Sequence, residues 1–429
     1  MGRKFRPMVA FAVVGVVALG TMTQASASPT SPIYQQKSAN YIVDGASTQA
    51  DRNRVGQTGA SIDAVEGDRL DITATPVEAL KIGRLGYRIT RTETEGFPAA
   101  DSGYHDYAEM QAELDKAAKA YPKILQKLSL GKSYEGRDMP LIKISDNVAK
   151  DENEPEILYD AHQHAREHLT VEMALYLVKM FTEGYGKDSR ITRIVDTREI
   201  WIVPDMNPDG GEYDVSGGKY HSWRKNRQPV GNGGYKGVDL NRNWGYKFAC
   251  CDGSSPVVSS ETYHGPSAFF APETQHLRDF VLSRRVNGVQ QIKAGIDFHT
   301  YSELILWPYG YTTQTTAAGL NGDQQKTFAT LGKAFAKSNG YTPEQSSSLY
   351  ITDGSIIDWL WANQGIWAFT FEMYPTTPGK GGFYPPASVI NRETARNQDA
   401  SLTLAEYADC AYRAIKKEQQ YCTTSPSPR

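Results

Sequence analysis

Short apolar runs recur along residues 99–423, separated by amphipathic stretches. EILYDA (156–161), EIWIV (199–203), IKAGIDF (292–298) and IWAFTFE (366–372) are brief and rich in β-branched and aromatic residues, so each is predicted as a buried strand. Between the first two the period changes to that of a helix. Ala174, Leu175, Val178 and Phe181 fall on one face, with Thr170 as the cap and Gly184 as the stop. Strands alternating with helices predict an α/β domain, a mixed and mostly buried central sheet with helices on both faces. About 325 residues is ample for such a core.

The first hundred residues have a different texture. Residues 41–43 read as a strand, a polar helix starts at Thr48, strands follow at 61–65 and 69–72, then a helix at 77–85 and a strand at 87–90. That order is the split βαβ pattern. Ahead of it stand the basic MGRKFRP, thirteen apolar residues MVAFAVVGVVALG, and the small residues ASA at 25–27, the sequence of features in an export signal. Thirteen residues fall short of the roughly twenty that a membrane-crossing helix needs, and no later segment is long and apolar enough to span. A secreted, extracellular protein is therefore expected. A small α/β unit between a signal and a large domain suggests a propeptide, and EGFPAADSG (95–103) reads as an exposed, cleavable linker. The expected organisation is residues 1–27 signal peptide, 28–98 propeptide with its boundary at about 95–101, 99–422 main domain and 423–429 disordered tail.

Charge narrows the range of partners. The formal net charge is −3, and removing Arg3, Lys4 and Arg6 with the signal takes it to about −6. No basic stripe remains to neutralise phosphates, so nucleic acid is not expected as a partner. The four cysteines, Cys250, Cys251, Cys410 and Cys422, suit an oxidising compartment and allow three pairings. Cys410 with Cys422 would close a short loop, leaving Cys250 and Cys251 as a vicinal bridge or as isolated thiols, and the sequence does not decide. With no CxxC pair, a cysteine-built zinc site is not expected.

The stretch HAREH (164–168) admits two incompatible readings. As H-x-x-E-H on a helix, His164 and His168 would bind metal and Glu167 would be the base. As H-x-x-E, His164 and Glu167 would both bind metal and the base would lie elsewhere. Histidines four apart share a face only on a helix. Here a predicted strand ends just before His164 and helical periodicity begins only after His168, so the motif sits at a strand-to-helix corner, where sites of open α/β sheets collect. The second reading is favoured, with His162 and His168 as packing or hydrogen-bonding bystanders. A catalytic zinc takes three protein ligands, and His299, ending its own buried strand, is the candidate third. Alternation in IWAFTFE puts Thr370 and Glu372 on one face and Trp367, Phe369 and Phe371 on the other. A carboxylate ending a hydrophobic strand is costly unless something uses it, and the first reading leaves Glu372 without a task.

HAREH, SWRKNR, DLNRNW, FHTYSE, LYITDGSIIDW and FTFEMY, in that order and at similar spacing, resemble the zinc metallocarboxypeptidases of the carboxypeptidase A type over about residues 99–422. The likeness is closest to the secreted bacterial branch typified by carboxypeptidase T. It implies one catalytic Zn2+ held by His164, Glu167 and His299, with Glu372 as general base and Arg224 as stabiliser of the developing oxyanion. It also implies that Asn241 and Arg242 receive the terminal carboxylate, that Arg166 touches it on entry, and that Tyr350 closes over the substrate through its hydroxyl. Asp239 would orient His164 from behind. The pocket for the end residue maps to Leu306, Gly310, Thr352, Ser355, Ile357 and Thr370.

Ile357 stands where basic-specific relatives carry an acid, so hydrophobic and aromatic end residues are expected. Ser355 replaces the aspartate of carboxypeptidase T, which weakens the expected action on basic ones, and Asp353 is expected to point elsewhere. Two acidic clusters match calcium positions of that branch: Ser102, Tyr104 and Glu109, and Asp151, Glu152 and Glu156. Expected partners are peptide or protein C-termini and an activating protease, with no membrane in the mature form and a monomeric state. Two rivals are weighed. A cell-wall amidase on the same fold would lack the Asn241–Arg242 clamp, and a non-catalytic peptide binder would have lost a ligand, the base or Arg224.

Overall fold

Residues 38–91, 101–232 and 234–422 are described by the computed structural model, so the expected signal, most of the linker and the tail lie outside them. Strands β1 (Ala39–Asp44), β2 (Ser61–Glu66), β3 (Arg69–Ala74) and β4 (Arg88–Arg91) form an antiparallel sheet in the order β2-β3-β1-β4. Helices Gln49–Gly56 and Pro76–Arg84 each open with a capping box, Thr48 with Asp51 and Thr75 with Glu78. Val43, Val55, Leu70, Ile72 and Ile82 give this unit a hydrophobic core of its own. The pairing of β2 with β3 slips between Ile62 and Ala64, which leaves Asp63 out of the ladder.

The main sheet has eight strands. They are β5 (Leu125–Lys132), β6 (Asp138–Ile144), β7 (Glu156–Ala161), β8 (Glu199–Val203), β11 (Ile292–Thr300), β12 (Leu304–Trp307), β13 (Thr342–Gln345) and β14 (Trp367–Met373). A two-residue hairpin, β9 (Arg285–Val286) with β10 (Val289–Gln290), stands apart from them. The order is β13-β12-β14-β11-β7-β8-β6-β5, with the central strands β14, β11, β7 and β8 mutually parallel and antiparallel pairs toward both edges. The central strands are buried at nearly every position because helices cover both faces. On one face the helices Leu169–Gly184 and Gly322–Asn339 pack Leu177, Phe181, Phe328 and Phe335 against Tyr159, Phe298 and Phe371. On the other, Leu277 and Val281 of helix Pro272–Ser283 and Trp359 and Leu360 of helix Ile356–Gln364 meet Leu158, Trp201 and Ala368.

One boundary differs from expectation. The helix after HAREH begins at Leu169, and Thr170 is its second residue rather than its cap. Its hydroxyl instead donates to the Glu167 carbonyl at 2.7 Å. His168 holds the cap position without a side-chain capping bond, because the chain enters this helix directly from the corner that carries the motif.

Both cysteine pairs are closed, Cys250 with Cys251 and Cys410 with Cys422.

Candidate metal centre and substrate cleft

The carboxyl ends of β7, β11 and β14 converge at one edge of the sheet, where open α/β sheets place their sites. After β7 the backbone turns through His162 in the left-handed region (φ 64°). The turn is pinned by the ring of His162, whose Nδ1 faces Asp205 Oδ1 and whose Nε2 faces the Ala165 carbonyl, each at 2.8 Å. His164 and Glu167 are thereby presented at the corner, and the register of β11 with β14 sets His299 beside Glu372.

His164 Nδ1 lies 2.8 Å from Glu167 Oε1, and His299 Nδ1 lies 2.9 Å from Glu167 Oε2. The two Nδ1 atoms are 3.0 Å apart. Behind each ring stands a carboxylate: Asp239 Oδ1 is 3.1 Å from His164 Nε2, and Asp297 Oδ2 is 2.9 Å from His299 Nε2. Each Nε2 thus carries its proton outward, and both Nδ1 lone pairs turn inward toward a third anionic donor, all of it buried. Lone pairs that converge in this way need a cation between them. Tetrahedral zinc, with bonds of about 2.0–2.1 Å, would space its donors about 3.3 Å apart, close to what is seen.

His168 is not part of this set. Its Nε2 meets Asp214 Oδ2 at 2.9 Å, and its ring lies among His162, Tyr220 and Tyr384.

The cleft beside the ligands is lined by Glu372, Arg224, Asn241, Arg242 and Tyr350, and by Leu306, Thr352, Ser355, Ile357 and Thr370. Burial pushes the Glu372 carboxyl up to about 8; Glu167 and Asp297 add to this, while His299 and Arg224 oppose it. Arg224 places Nε and Nη2 at 3.1 and 3.0 Å from Asp239 Oδ2, so one carboxylate aligns both a ligand ring and a guanidinium. Asn241 accepts the Ile356 N–H at 3.0 Å, and its Nδ2 faces His299 Nε2 at 3.1 Å. Arg242 reaches the Tyr350 hydroxyl at 3.3 Å. Gly310 packs so closely on Thr352 that a side chain there would overlap its hydroxyl. Asp353 points away from the pocket, accepting from the N–H groups of Cys251 and Gly253 at 2.9 and 3.0 Å and from the Ser254 hydroxyl.

The N-terminal unit covers this cleft, and Ile62 and Asp63 form part of its lining. Arg166 is fully buried: Nη2 donates to Asp63 Oδ1 at 2.7 Å, Nη1 donates to the Thr73 hydroxyl at 2.6 Å, and the guanidinium lies 4.0 Å over the ring of Phe383. The Tyr350 hydroxyl donates to the Ile62 carbonyl at 3.3 Å, and Ile351 N–H donates to Asn53 Oδ1 at 2.8 Å.

The expected calcium groups fare differently from the zinc group. Asp151 and Glu156 do converge, together with Glu199, but Arg284 lies among them, with Nη2 at 2.6, 2.5 and 3.6 Å from the three carboxylates. The carboxylate of Glu152 instead accepts from Asn147 at 3.1 Å. Glu109 caps its own helix by accepting from Asp106 N–H at 3.1 Å, and Tyr104 donates its hydroxyl to the Pro385 carbonyl at 2.8 Å.

Sequence reasoning overlooked Asp297, although strand alternation puts it on the same face as His299 two residues later. Asp63 and Phe383 carried no comparable local signal.

A site of this make at the edge of a parallel sheet defines the class of metal-dependent hydrolases. The chain belongs to the zinc carboxypeptidase family, hydrolases acting on peptide bonds, whose model matches residues 110–400. It is 44% identical over 436 residues to a zinc carboxypeptidase of Saccharothrix mutabilis subsp. capreolus, covering 97% of this chain and 99% of that one. Identity to carboxypeptidase A1 of Bos taurus is 35% over 307 residues, 71% of this chain and 70% of the relative. Among solved structures, carboxypeptidase A from Helicoverpa armigera matches with a TM-score of 0.73 at 23% identity, over 89% of this chain and 99% of that one, which shows a shared fold. Zinc is the ion of the family, and the His164, Glu167 and His299 set fits it. No helix among the described residues is long and apolar enough to cross a membrane.

Proposed function

We propose that the protein is a secreted exopeptidase, made as a zymogen, that removes single residues from free carboxyl ends of peptides and proteins. The supporting observation is that three convergent metal donors, the separate half-buried carboxyl of Glu372, and Asn241 and Arg242, both suited to a carboxylate, share one cleft. Held by His164, Glu167 and His299, zinc would supply Lewis acidity, polarising the scissile carbonyl and acidifying water. Glu372 takes the proton of the attacking water and returns it to the leaving amine. Arg224 directs N–H groups at the oxyanion, a contribution of about 3 kcal/mol for donors of this kind. Asn241 and Arg242 receive the terminal carboxylate, for which the planar guanidinium fork is suited. Arg166 joins them once Asp63 has left, and Tyr350 closes on the substrate once it is released from Ile62.

Leu306 and Ile357 give the end-residue pocket apolar walls, while Thr352, Ser355 and Thr370 contribute hydroxyls and no charge. The nearby acids are committed elsewhere, Asp353 to the 251–254 loop and Asp358 to the N–H groups of Gly310 and Tyr311. A basic end residue therefore meets no counter-charge, and an apolar or aromatic one is preferred.

The zymogen role of residues 28–98 rests on Asp63, which occupies Arg166 as a substrate carboxylate would. Calcium has no part in this function: Arg284 is the counter-charge of Asp151 and Glu156, and Lys143, with Arg284 further off, that of Glu199. Replacing Glu372 by Gln tests the function. The variant should bind one zinc yet lose about 10²–10⁴-fold in kcat, and an unchanged kcat would overturn the assigned base.

A further inference from the structure

The two ligand histidines do not stand in equivalent surroundings. Behind His164, Nε2 meets Asp239 Oδ1. Behind His299, Nε2 has two neighbours of opposite preference. Asp297 Oδ2, at 2.9 Å, accepts a proton, whereas Asn241 Nδ2, at 3.1 Å, can only donate. Asn241 cannot turn its amide to resolve this, because its Oδ1 accepts from the Ile356 N–H at 3.0 Å. A flipped amide would set N–H against N–H.

Left with Asn241 alone, the neutral ring would accept at Nε2 and carry its proton on Nδ1, the atom that faces Glu167 and His164. That tautomer cannot ligate through Nδ1. We propose that Asp297 is a positioning residue for the ligand His299: by accepting from Nε2–H it imposes the metal-binding tautomer against Asn241. This rests on the ligand roles proposed above.

Asp297 is itself held for the task. Its Oδ1 accepts from Gln163 Nε2 at 2.9 Å, and its Oδ2 also accepts from the Thr370 hydroxyl at 3.3 Å. Gln163 in turn accepts from Trp244 Nε1 at 3.1 Å, which fixes its amide. Asp160 stands opposite Asp297 in the register of β7 and β11, and burial, chiefly, and then the Asp297 charge push its carboxyl up.

This wiring predicts an unusual outcome for a nearly isosteric change. In Asp297→Asn the new amide turns its oxygen to Gln163 and its NH2 to His299, so that Nε2 faces two donors. Zinc bound through Nδ1 then forces three N–H groups together. Adding Gln163→Glu supplies an acceptor at the far side, turns the amide over and returns an oxygen to His299.

The test is the zinc dissociation constant of the full chain, measured by chelator competition for the unaltered protein, Asp297→Asn and the double variant Asp297→Asn/Gln163→Glu. The expected result is a loss of about 10–100-fold in the single variant and recovery of most of it in the double one. Unchanged affinity in Asp297→Asn would overturn the proposal, and so would equal weakness in both variants, which would mark a merely structural residue. Should the variants not fold, the zinc-loaded unaltered chain still decides: a slowly exchanging, downfield His299 Nε2–H resonance is expected, and its absence overturns the role of Asp297. One-to-one zinc binding that His299→Ala abolishes checks the ligand assignment separately.

Discussion

Asp63 and Arg166 meet at 2.7 Å, with no solvent reaching the arginine, across the junction of the N-terminal sheet and the main domain. The slip in the β2–β3 ladder leaves Asp63 free of strand pairing, and its carboxylate also accepts from Ser61 and Thr73. A buried ion pair broken on one side costs about 3–5 kcal/mol, because the remaining charge is stranded. Asp63→Ala should therefore loosen the N-terminal unit from the cleft. The uncut chain carrying this change should hydrolyse a small C-terminal peptide at least about tenfold faster than the unaltered uncut chain, since tenfold needs only about 1.4 kcal/mol. Equal rates would dismiss Asp63 as a latch.

The two readings of HAREH differ in metal content. His299→Ala should reduce bound zinc to background, while His168→Ala, which loses only the bond to Asp214 and its aromatic neighbours, should retain one zinc per chain. Elemental analysis of both purified variants separates the readings. Loss in His168→Ala with retention in His299→Ala would reverse them.

Ser355 is the lever on specificity. It caps the helix Ile356–Gln364 by accepting from Asp358 N–H, and aspartate is an equally good cap, so Ser355→Asp should fold normally. Comparison of kcat/KM on peptides ending in Phe, Leu, Arg and Lys should show the unaltered processed enzyme favouring Phe and Leu. The variant should gain about tenfold or more on Arg and Lys, from a charge-assisted bond in a sheltered pocket. Equal rates on Phe and Arg before the change would contradict the pocket assignment.

Arg284 predicts how the acidic cluster responds to ions. With the guanidinium in place, the melting temperature should not change when calcium is chelated. Arg284→Gln leaves Asp151 and Glu156 without their counter-charge, while Lys143 still pairs Glu199 at 2.8 Å, so the melting temperature should fall by several degrees and millimolar calcium should restore it. Thermal scans of both proteins with and without calcium check this. Strong calcium dependence of the unaltered chain would show that the cluster holds an ion despite Arg284.

Much of this was legible from local pattern. EILYDA and EIWIV are buried at every position, Glu156, Asp160 and Glu199 included, as strands at the centre of a parallel sheet should be. The period change after HAREH located the corner, and hence the separation of His164 and Glu167 from His168. Thr170 misled because threonine before an apolar face resembles a cap, whereas here the preceding turn already delivers the chain to the helix. Other features were not legible because they are made by distant pairs. Arg284 reaches Glu156 from 128 positions away, and Arg166 meets Asp63 from 103. Neither residue carries a local mark of its partner. Asp297 lay within reach of strand alternation, but its importance depends on Asn241, which only the fold brings to the same nitrogen.

The most direct test of the proposed function compares one peptide in two forms, with a free terminal carboxylate and with an amide in its place. Processed protein, stripped of metal and reloaded with zinc, would be incubated with each and the products followed by mass spectrometry. The expected result is a ladder shortened one residue at a time from the free carboxyl end, no attack on the amide, and no activity before zinc is restored. Internal fragments, or equal shortening of both peptides, would contradict a cleft built around Asn241, Arg242 and Arg166 to hold a chain end.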